Sequence, residues 1–356
     1  MSTLLLSRSD VSRNLQALTL LEDMREAFRV DALARTVAPQ RTRVPLHAEG
    51  TAMVLFPGSL PGVPAYSVKV SARFPTSTPP LQGVLQLHDL ASGALLAVMD
   101  SAHLTAVRTG VVGALGTEVL ARPDATRVAL LGAGNRAVLQ LKSMRLVRTL
   151  SQAFVYDADF EQAVALATRM YHELQLPVRP VDSVAEAVAE ADIVVAGGRV
   201  SLSPELVRPG MHITALAADE QDKVELSPEL ISRATVVCDH RGLALSGGVV
   251  GSAGLTESSI HAELGEIIAG MKPGRTSPEQ LTLFCMVGLP FQDLAAAWHV
   301  YQGAQGDEDV RRVDFSGWGA REPGRTAGVQ ACEAEAGSAD GARVSAHLPP
   351  GGDACS

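Results

Sequence analysis

A single arginine, Arg108, lies in the helical stretch SAHLTAVRTGVVGALGTEVL (101–120), whose other residues are mostly apolar or small. A guanidinium keeps its charge when it is buried, so Arg108 needs an anion close to it. That anion is either an internal carboxylate, with Asp100 and Glu118 as the nearest in sequence, or the carboxylate of a bound ligand. The residue types therefore predict either a buried ion pair or an anion-binding site.

A second chemical pattern is the glycine motif of VALLGAGNRA, where Gly132, Gly134 and Ala137 follow an apolar strand and precede a helix. Glycines at this spacing let backbone N–H groups approach a pyrophosphate at a helix N-terminus. Asp157 ends the next predicted strand, where a carboxylate accepts hydrogen bonds from ribose hydroxyls and repels a 2′-phosphate. We therefore predict an NAD site, with NADP as the alternative cofactor. A plain glycine-rich turn is the other interpretation of the motif.

Composition and charge exclude several classes of partner. The chain has 356 residues, a net charge of −9 and 46% hydrophobic residues, which is enough apolar side chain for two domains. Nucleic acids and anionic membranes select basic stripes, and the sequence holds no lysine or arginine cluster, so neither partner is expected. The sequence shows no signal peptide and no apolar run of about eighteen residues, and we expect a cytoplasmic protein.

Cysteine and histidine spacing gives no indication of a metal site. No CxxC, HxxxH or Cys/His pair at ligand spacing occurs among the four cysteines and nine histidines, so no metal is predicted. Cys238 and Cys285 lie in apolar runs and are predicted to be reduced core residues.

The first third of the chain is predicted to hold a helix followed by an antiparallel sheet. Asp10 is the expected N-cap of the helix, whose apolar positions recur at steps of three and four up to Phe28. Short alternating runs separated by Pro and Gly between residues 41 and 96 predict the strands, and Ser92 and Gly93 are expected to form a hairpin turn.

The middle of the chain has a different pattern, in which apolar strands alternate with helices. Runs such as AFVYD, ADIVVAGG, MHITAL and ATVVCDH recur at a spacing that predicts a parallel doubly wound sheet. Beyond it, LTLFCMVG and FQDLAAAWHVYQGA predict a strand and a helix that pack back on the first region. From 306 to 356, periodic apolar residues give way to Gly, Ala, Ser, Pro and charge, so we expect a disordered tail.

Together with the glycine loop, the ordered motifs LTAVRTG, AADEQDKVEL and AELGEIIAGMKPGR make the chain resemble the ornithine cyclodeaminase/mu-crystallin family over about residues 3 to 303. The resemblance implies an α/β fold and a homodimer. A Rossmann dinucleotide-binding domain (121–279) would interrupt a discontinuous α+β substrate and dimerisation domain (1–120, completed by 280–305). Members of the family oxidise or reduce the C–N bond of α-amino or α-imino acids, cyclise diamino acids with loss of ammonia, or bind ligands.

The resemblance also assigns a substrate clamp. The carboxylate-binding arginine, lysine and second arginine of the family correspond to Arg41, Lys69 and Arg108, and Lys69 is also a catalytic candidate. Three cations around one small anion would fix its orientation. Without the resemblance, Arg41 and Lys69 would be interpreted as solvated surface charges. The implied cofactor-binding residues are Arg108, Thr109, Gly132, Gly134, Asn135, Arg136, Asp157 and Lys223.

Several positions depart from the family pattern. Val54 stands where members acting on ornithine carry a glutamate for the distal ammonium. An unpaired charged amine in a dry pocket is unfavourable, so ornithine and lysine are not the expected substrates. Gly83 and Met286 replace small hydroxyl residues that often touch the cofactor, and Arg136 replaces a glutamine.

The resemblance implies an NAD-dependent oxidoreductase of the ketimine reductase or amino-acid dehydrogenase type. The proton-handling aspartate of the family corresponds to Asp219, which is otherwise a solvated loop acid. Two alternatives stay open: an amino-acid cyclodeaminase, because Asp219 and Lys223 are also its residues, and a non-catalytic mu-crystallin-like ligand-binding protein. The substrate side chain and the direction of the reaction do not follow from the sequence.

Overall fold

The computed structural model describes residues 2–34, 39–47, 51–74, 77, 81–197, 200–216 and 224–315. Two predicted site residues, Asp219 and Lys223, lie outside the described residues, as does the chain from 316 on. The helices are α1 Arg8–Asn14, α2 Ala17–Ala34, α3 Ser101–Leu120, α4 Asn135–Val147, α5 Phe160–Leu174, α6 Val184–Ala189, α7 Pro228–Arg233, α8 Arg241–Ser246, α9 Val249–Ser252, α10 Leu264–Ile268 and α11 Pro290–Ala304. The strands are β1 Thr3–Leu6, β2 Thr42–Pro45, β3 Ala52–Gly58, β4 Ala65–Arg73, β5 Leu81–Asp89, β6 Leu95–Asp100, β7 Arg127–Leu131, β8 Gln152–Tyr156, β9 Val178–Val181, β10 Ile193–Ala196, β11 Val200–Leu202, β12 His212–Ala215, β13 Val224–Leu226, β14 Thr235–Cys238, β15 Ala262–Glu263, β16 Thr282–Cys285 and β17 Arg311–Val313.

Seven strands form a mixed sheet in the order β17-β1-β6-β5-β4-β3-β2. Strands β2 to β6 are antiparallel neighbours, as the alternating pattern predicts, and β5 and β6 form the predicted hairpin. β1 adds to β6 in parallel, and β17 adds to β1 in antiparallel orientation. Segments from both ends of the described chain therefore belong to one sheet, against which α11 packs.

Eight parallel strands form a second sheet in the order β15-β14-β16-β12-β10-β7-β8-β9. The run β9-β8-β7-β10-β12 has the 3-2-1-4-5 strand order of a doubly wound nucleotide-binding sheet. Strands β10, β12 and β16 are buried throughout, as expected for parallel strands covered on both faces. The predicted α/β class with a Rossmann-type sheet is confirmed.

Helix α3 lies between the two sheets and carries Arg108. It contacts β4, β5 and α11 on the side of the mixed sheet, and α4, β12 and β16 on the side of the parallel sheet. Glycines allow this close packing: a Cβ on Gly110 would lie 2.9 Å from the carbonyl oxygen of Leu139 in α4. The side chain of Asp100 caps α3 by accepting from the backbone N–H of His103.

The start of the chain differs from the prediction. Ser7, not Asp10, is the N-cap of the first helix, and its side chain accepts from the backbone N–H of Asp10. The carboxylate of Asp10 in turn accepts from the backbone N–H of Ser7 at 2.9 Å, which completes a capping box. The single predicted helix is also divided into α1 and α2, with a break after Asn14.

The end of the described chain differs as well. β16 lies beyond the predicted boundary at residue 279, yet it pairs with β14 and β12 inside the parallel sheet. The predicted disordered tail, 306–356, begins too early in the sequence. Residues 311–313 form β17, which pairs with β1. A buried Val310 and an ion pair between Arg13 and Asp307, at 2.9 Å, hold this segment in place. The remainder of the predicted tail, from 316, lies outside the described residues.

Three further features concern cysteines, membranes and metals. Cys238 and Cys285 are buried and free, as predicted, and burial raises the pKa of Cys285 to about 12. None of the helices in the described ranges combines the length and the apolar character needed to cross a bilayer. Within the same ranges, no group of three His, Cys, Asp or Glu side chains is placed to hold a metal ion.

Candidate active site

Asp293 joins two of the three predicted clamp cations. Nζ of Lys69 lies 2.7 Å from Oδ2 of Asp293, and Nε of Arg108 donates to Oδ1 at 3.0 Å. The side chains of Lys69, Arg108 and Asp293 are only 3%, 6% and 1% exposed. Arg108 therefore has an internal carboxylate partner, but this is neither Asp100, which caps α3, nor Glu118, which pairs with an arginine of α2.

The ring of Phe56 brings Arg41 into the same cluster. Phe56 on β3 lies opposite Lys69 on β4 in the sheet register. Nζ of Lys69 is 4.2 Å from the centroid of the ring, and the guanidinium carbon of Arg41 is 5.3 Å from the same centroid. Both cations are within the range of a cation–π interaction. The structure thus assembles the three predicted cations around one aromatic ring and one carboxylate.

In this cation cluster, formed by Arg41, Lys69, Arg108 and Asp293, the two buried cations Lys69 and Arg108 share the single carboxylate of Asp293. Burial lowers the pKa of Lys69, the charge of Asp293 opposes this, and the charges of Arg108 and Arg41 lower it further, to about 8. Burial alone would raise the pKa of Asp293, but Arg108 and Lys69 outweigh burial and hold that pKa below its ordinary value. Two buried cations that share one ionised carboxylate attract a further small anion.

The loop after β16 places Arg108 at the carboxyl edge of the parallel sheet. Asp239, which follows β14, accepts from the backbone N–H groups of Val287 and Gly288 at 3.0 and 2.6 Å. A Cβ on Gly288 would lie 3.1 Å from both terminal nitrogens of Arg108, so the loop backbone packs against the guanidinium. Burial raises the pKa of Asp239 against the opposing effects of these N–H groups and of Arg108. Ligands of doubly wound sheets bind at this edge.

The glycine loop after β7 has the geometry that a dinucleotide needs. Gly132 has a φ of +112°, and its N–H donates to the carbonyl of Tyr156 at 2.7 Å. Gly134 is the N-cap of α4, a Cβ there would meet no atom within 4 Å, and among the described residues no side chain caps this helix. Asp157 accepts from the N–H of Ala133 at 2.7 Å, which holds its carboxylate beside the loop. The residues present therefore fit a bound pyrophosphate and ribose.

The other predicted cofactor residues flank this loop or Arg108. Thr109 follows Arg108 on α3 and is half-buried, while Asn135 and Arg136 begin α4. Because α3 and α4 touch at Gly110, the turn of α3 that carries Arg108 lies close to the first turns of α4. Asp219 and Lys223 follow β12, outside the described residues, so their roles stay predictions.

The residues that depart from the family pattern have different surroundings. Val54 lies two residues from Phe56 on β3 and therefore faces the same side of the mixed sheet as Lys69. A Cβ on Gly83 would lie 2.4 Å from the carbonyl oxygen of Val70, so a hydroxyl residue does not fit there without a backbone shift. Met286 is buried at the end of β16.

Three residues around Arg108 were not predicted as site residues: Gln292 and Asp293 in the first turn of α11, and Asp239 after β14. Asp293 and Gln292 contact Arg108 directly, and Asp239 holds the loop that packs against it. A signal for Asp293 is present in the sequence: it is an acid within the apolar helical run FQDLAAAWHV, as anomalous as Arg108 is in α3. Asp239 ends an apolar strand as several unrelated acids do, and the sequence does not distinguish it.

The chain is similar in sequence and in structure to NAD-dependent enzymes of one family. The model of the ornithine cyclodeaminase/mu-crystallin family matches residues 1–308. Delta(1)-pyrroline-2-carboxylate reductase of Bacillus cereus (strain ZK / E33L) is 31% identical over 314 residues, which cover 83% of this chain and 97% of that protein. The structure of the Thermococcus litoralis Delta(1)-pyrroline-2-carboxylate reductase, in complex with NADH and L-proline, superposes with a TM-score of 0.81 and 30% identity over 87% of this chain and 100% of that chain. An archaeal alanine dehydrogenase dimer with bound NAD superposes with a TM-score of 0.81 and 29% identity, covering 88% of this chain and 100% of the other. The protein belongs to the ornithine cyclodeaminase/mu-crystallin family, as the resemblance of its motifs predicts.

Proposed function

We propose that the protein is an NAD-dependent oxidoreductase acting on the C–N bond of a small α-amino or α-imino acid. The observation that carries the proposal is the buried cation cluster, in which Lys69 and Arg108 share Asp293 with Arg41 close by. Such a cluster can take one more carboxylate, and it lies at the sheet edge where ligands bind. The relatives described above act on small amino or imino acids of this kind by name.

The cofactor of the proposal is NAD, with NADP as the second choice. The left-handed Gly132 and the uncapped start of α4 would hold the pyrophosphate, and Asp157 would accept hydrogen bonds from the ribose. When bound, the nicotinamide supplies the hydride chemistry. The carboxylate of Asp157 favours NAD because it would repel a 2′-phosphate.

Different residues would bind the substrate and transfer the proton. Lys69, Arg108 and Arg41 bind and orient the substrate carboxylate, which fixes the α-carbon. Asp219 handles the proton at the nitrogen, and Lys223 contacts the cofactor. The latter two assignments rest on the family correspondence alone.

The substrate should lack a second amino group. Val54 shares the sheet face of Lys69 and offers no carboxylate to an ornithine or lysine side chain. An ammonium buried without a partner costs several kcal/mol, so a cyclic imino acid or a short α-keto acid with ammonia fits better. This favours net reduction or dehydrogenation over cyclodeamination.

A substrate panel tests the proposed function. Cyclic imino acids, α-keto acids with ammonia or methylamine, and diamino acids are each incubated with NADH and with NADPH, and scored by absorbance and product mass. We expect NADH to be consumed in proportion to a reduced amino acid. Turnover of a diamino acid without net loss of NADH would establish the cyclodeaminase alternative instead. Ligand binding without any turnover, unaffected by Asp219→Asn, would establish the ligand-binding alternative.

We also propose the domain division that the family implies, with one adjustment. The mixed sheet and α11 would form the substrate and dimerisation domain, and the parallel sheet, including β16, the Rossmann domain. The cytoplasmic location stays a prediction from the sequence.

We further propose a homodimer that pairs through the outer face of the mixed sheet. Val68, Val70, Val84 and Val98 share the face opposite Lys69, and Val84 is 42% exposed. Light scattering should give the mass of a dimer for the wild type and of a monomer for Val84→Lys, because a charge would be buried in the interface. Leu18→Lys, at an exposed position on α2, is the matched control and should stay dimeric. A monomeric wild type would contradict the proposal.

The depressed pKa of Lys69 predicts an alkaline limit to activity. Lys69 is charged below pH about 8 and neutral above it, so the attraction for the substrate carboxylate weakens as the pH rises. We expect kcat/KM, which reports the free enzyme, to fall through this pKa. In Lys69→Arg the charge persists, and the fall should move to higher pH.

Stability should change in the opposite direction over the same range. The pKa of Lys69 is about 8 in the folded chain and 10.5 as its ordinary value, so the unfolded chain binds more protons between these limits. The contribution of Lys69 to the free energy of unfolding therefore rises with pH across this window. Lys142→Arg, an exchange at a partly exposed lysine of α4, should leave both pH profiles unchanged. A fall in kcat/KM that is identical in Lys69→Arg and the wild type would contradict the assignment to Lys69.

A further inference from the structure

Gln292 holds Arg108 at a second point. Oε1 of Gln292 accepts from Nη1 of Arg108 at 2.7 Å, while the next residue, Asp293, accepts from Nε at 3.0 Å. Gln292 and Asp293 are 0% and 1% exposed and lie in the first turn of α11. Contacts at two nitrogens of a planar group fix its rotation as well as its position.

Asp293 alone would leave that rotation open. Its two oxygens are divided between Lys69 and Arg108, so it reaches only Nε of the guanidinium. Gly288 bounds the group on another side, at a φ of +94° that side chains rarely adopt. Within the part of the chain that the structure describes, Nη2 of Arg108 has no hydrogen-bond acceptor. Both N–H groups of Nη2 are therefore available to donate to a ligand.

Only one end of the Gln292 amide makes a hydrogen bond: Oε1 accepts from Arg108, whereas Nε2 makes none with the described residues. Nε2 is buried and has no acceptor among the described residues. Turning the amide over would not help, because Nε2 would then face the N–H donors of Arg108. A buried donor without a partner is destabilising, and a methionine of similar volume would not have one. The unsatisfied Nε2 of Gln292 therefore costs stability, while Oε1 of the same amide supplies the acceptor for Nη1 of Arg108.

We propose that Gln292 is a positioning residue for the substrate carboxylate. It acts through Arg108, by holding Nη1 so that Nη2 faces the ligand. The inference rests on the proposed function, in which Arg108 binds a carboxylate. It adds a specific residue of α11 to the clamp implied by the family.

Two variants at this position separate positioning from packing. Gln292→Met keeps the volume but removes the acceptor, and we expect KM for the carboxylate substrate to rise about tenfold while kcat and the Kd of NADH change little. Gln292→Glu keeps an oxygen opposite Nη1 and should recover part of that loss, although its charge reduces the positive charge of the cluster. Gln140→Met is the control, because Gln140 is also fully buried but packs between α3 and α4 against Gly113. It should lower stability and leave KM unchanged.

The outcomes decide the inference and the proposed function separately. A KM for Gln292→Met within about twofold of the wild type overturns the positioning role. If the wild type turns over no compound of the panel, the proposed function is overturned, and a crystal structure of Gln292→Met still decides the inference: we expect the guanidinium of Arg108 to be rotated, and an unchanged guanidinium overturns it. If Gln292→Met does not fold, the crystal structure of Gln292→Glu decides, with Nη1 of Arg108 expected on the new carboxylate.

Discussion

Replacing Asp293 by alanine should lower the free energy of unfolding by about 3–5 kcal/mol, because it leaves two buried cations without their shared carboxylate. Lys69 and Arg108 are 3% and 6% exposed, so water cannot replace the lost partner. Urea denaturation followed by circular dichroism measures the change. Asp293→Asn, which keeps one oxygen as an acceptor, should lie between the alanine variant and the wild type.

The control for this prediction is an acid in a more exposed ion pair. Asp23 is 44% exposed and lies 2.7 Å from Nδ1 of His299, so Asp23→Ala should cost less than about 1 kcal/mol. Adding Lys69→Met to Asp293→Ala removes one of the two unpaired cations. The double variant should therefore be more stable than the sum of the two single changes by at least about 1 kcal/mol. Equal losses in Asp293→Ala and Asp23→Ala would contradict the buried cluster.

Replacing Arg108 by methionine should lower kcat/KM by about 100-fold to 1000-fold, mainly through KM. The loss has two parts. The direct donor to the substrate carboxylate disappears, and Lys69 and Asp293 then neutralise each other as a one-to-one pair. Steady-state kinetics with the substrate identified by the panel, together with the Kd of NADH from fluorescence titration, measures the effect.

The same variant has a second readout in its pH profile. The charge of Arg108 is one of the causes that lower the pKa of Lys69 to about 8, so the alkaline fall in kcat/KM should move to higher pH in Arg108→Met. Arg25→Met is the matched control, since Arg25 pairs with Glu118 at 2.7 Å and both side chains are about one-third exposed. It should change neither KM nor the pH profile. A normal KM in Arg108→Met would remove Arg108 from the substrate clamp.

The parallel sheet and its glycine loop were predictable because local patterns encode them. Apolar runs of four residues, such as VALL in β7 and IVVA in β10, separated by helical periodicity, are what strands covered on both faces require. Gly132 adopts a left-handed conformation that favours glycine, and Gly134 at the N-cap of α4 leaves open space beside the helix start, so their spacing indicates the loop geometry directly. Arg108 was recognisable for a related reason, as a permanent charge inside an apolar helix.

The partner of Arg108 was not predictable from local patterns. Asp293 is 185 residues away in the sequence, and the two meet only because α11 returns to the mixed sheet beside α3. Nearby Asp100 and Glu118 were the natural candidates, but a helix cap and a surface pair engage them instead. Tertiary packing of this kind is set by the whole fold.

Small edge elements escaped prediction for a different reason. β17 is a three-residue strand, exposed at two of its positions, whose sequence lacks apolar alternation. It is stabilised by pairing with β1 and by the buried Val310, contacts that no local pattern shows. The capping box of Ser7 and Asp10 was visible in the sequence, but the apolar periodicity favoured the later cap.

The most direct test of the central claim is a crystal structure of the protein with NADH and the carboxylate substrate identified by the panel, or with L-proline. The measurement is the distance from the ligand carboxylate oxygens to the nitrogens of Arg108 and Lys69. The cation cluster predicts hydrogen-bond distances to both residues, with Asp293 still in contact with them. A ligand whose carboxylate lies elsewhere, while the Lys69–Asp293–Arg108 pairs stay closed, would contradict the claim.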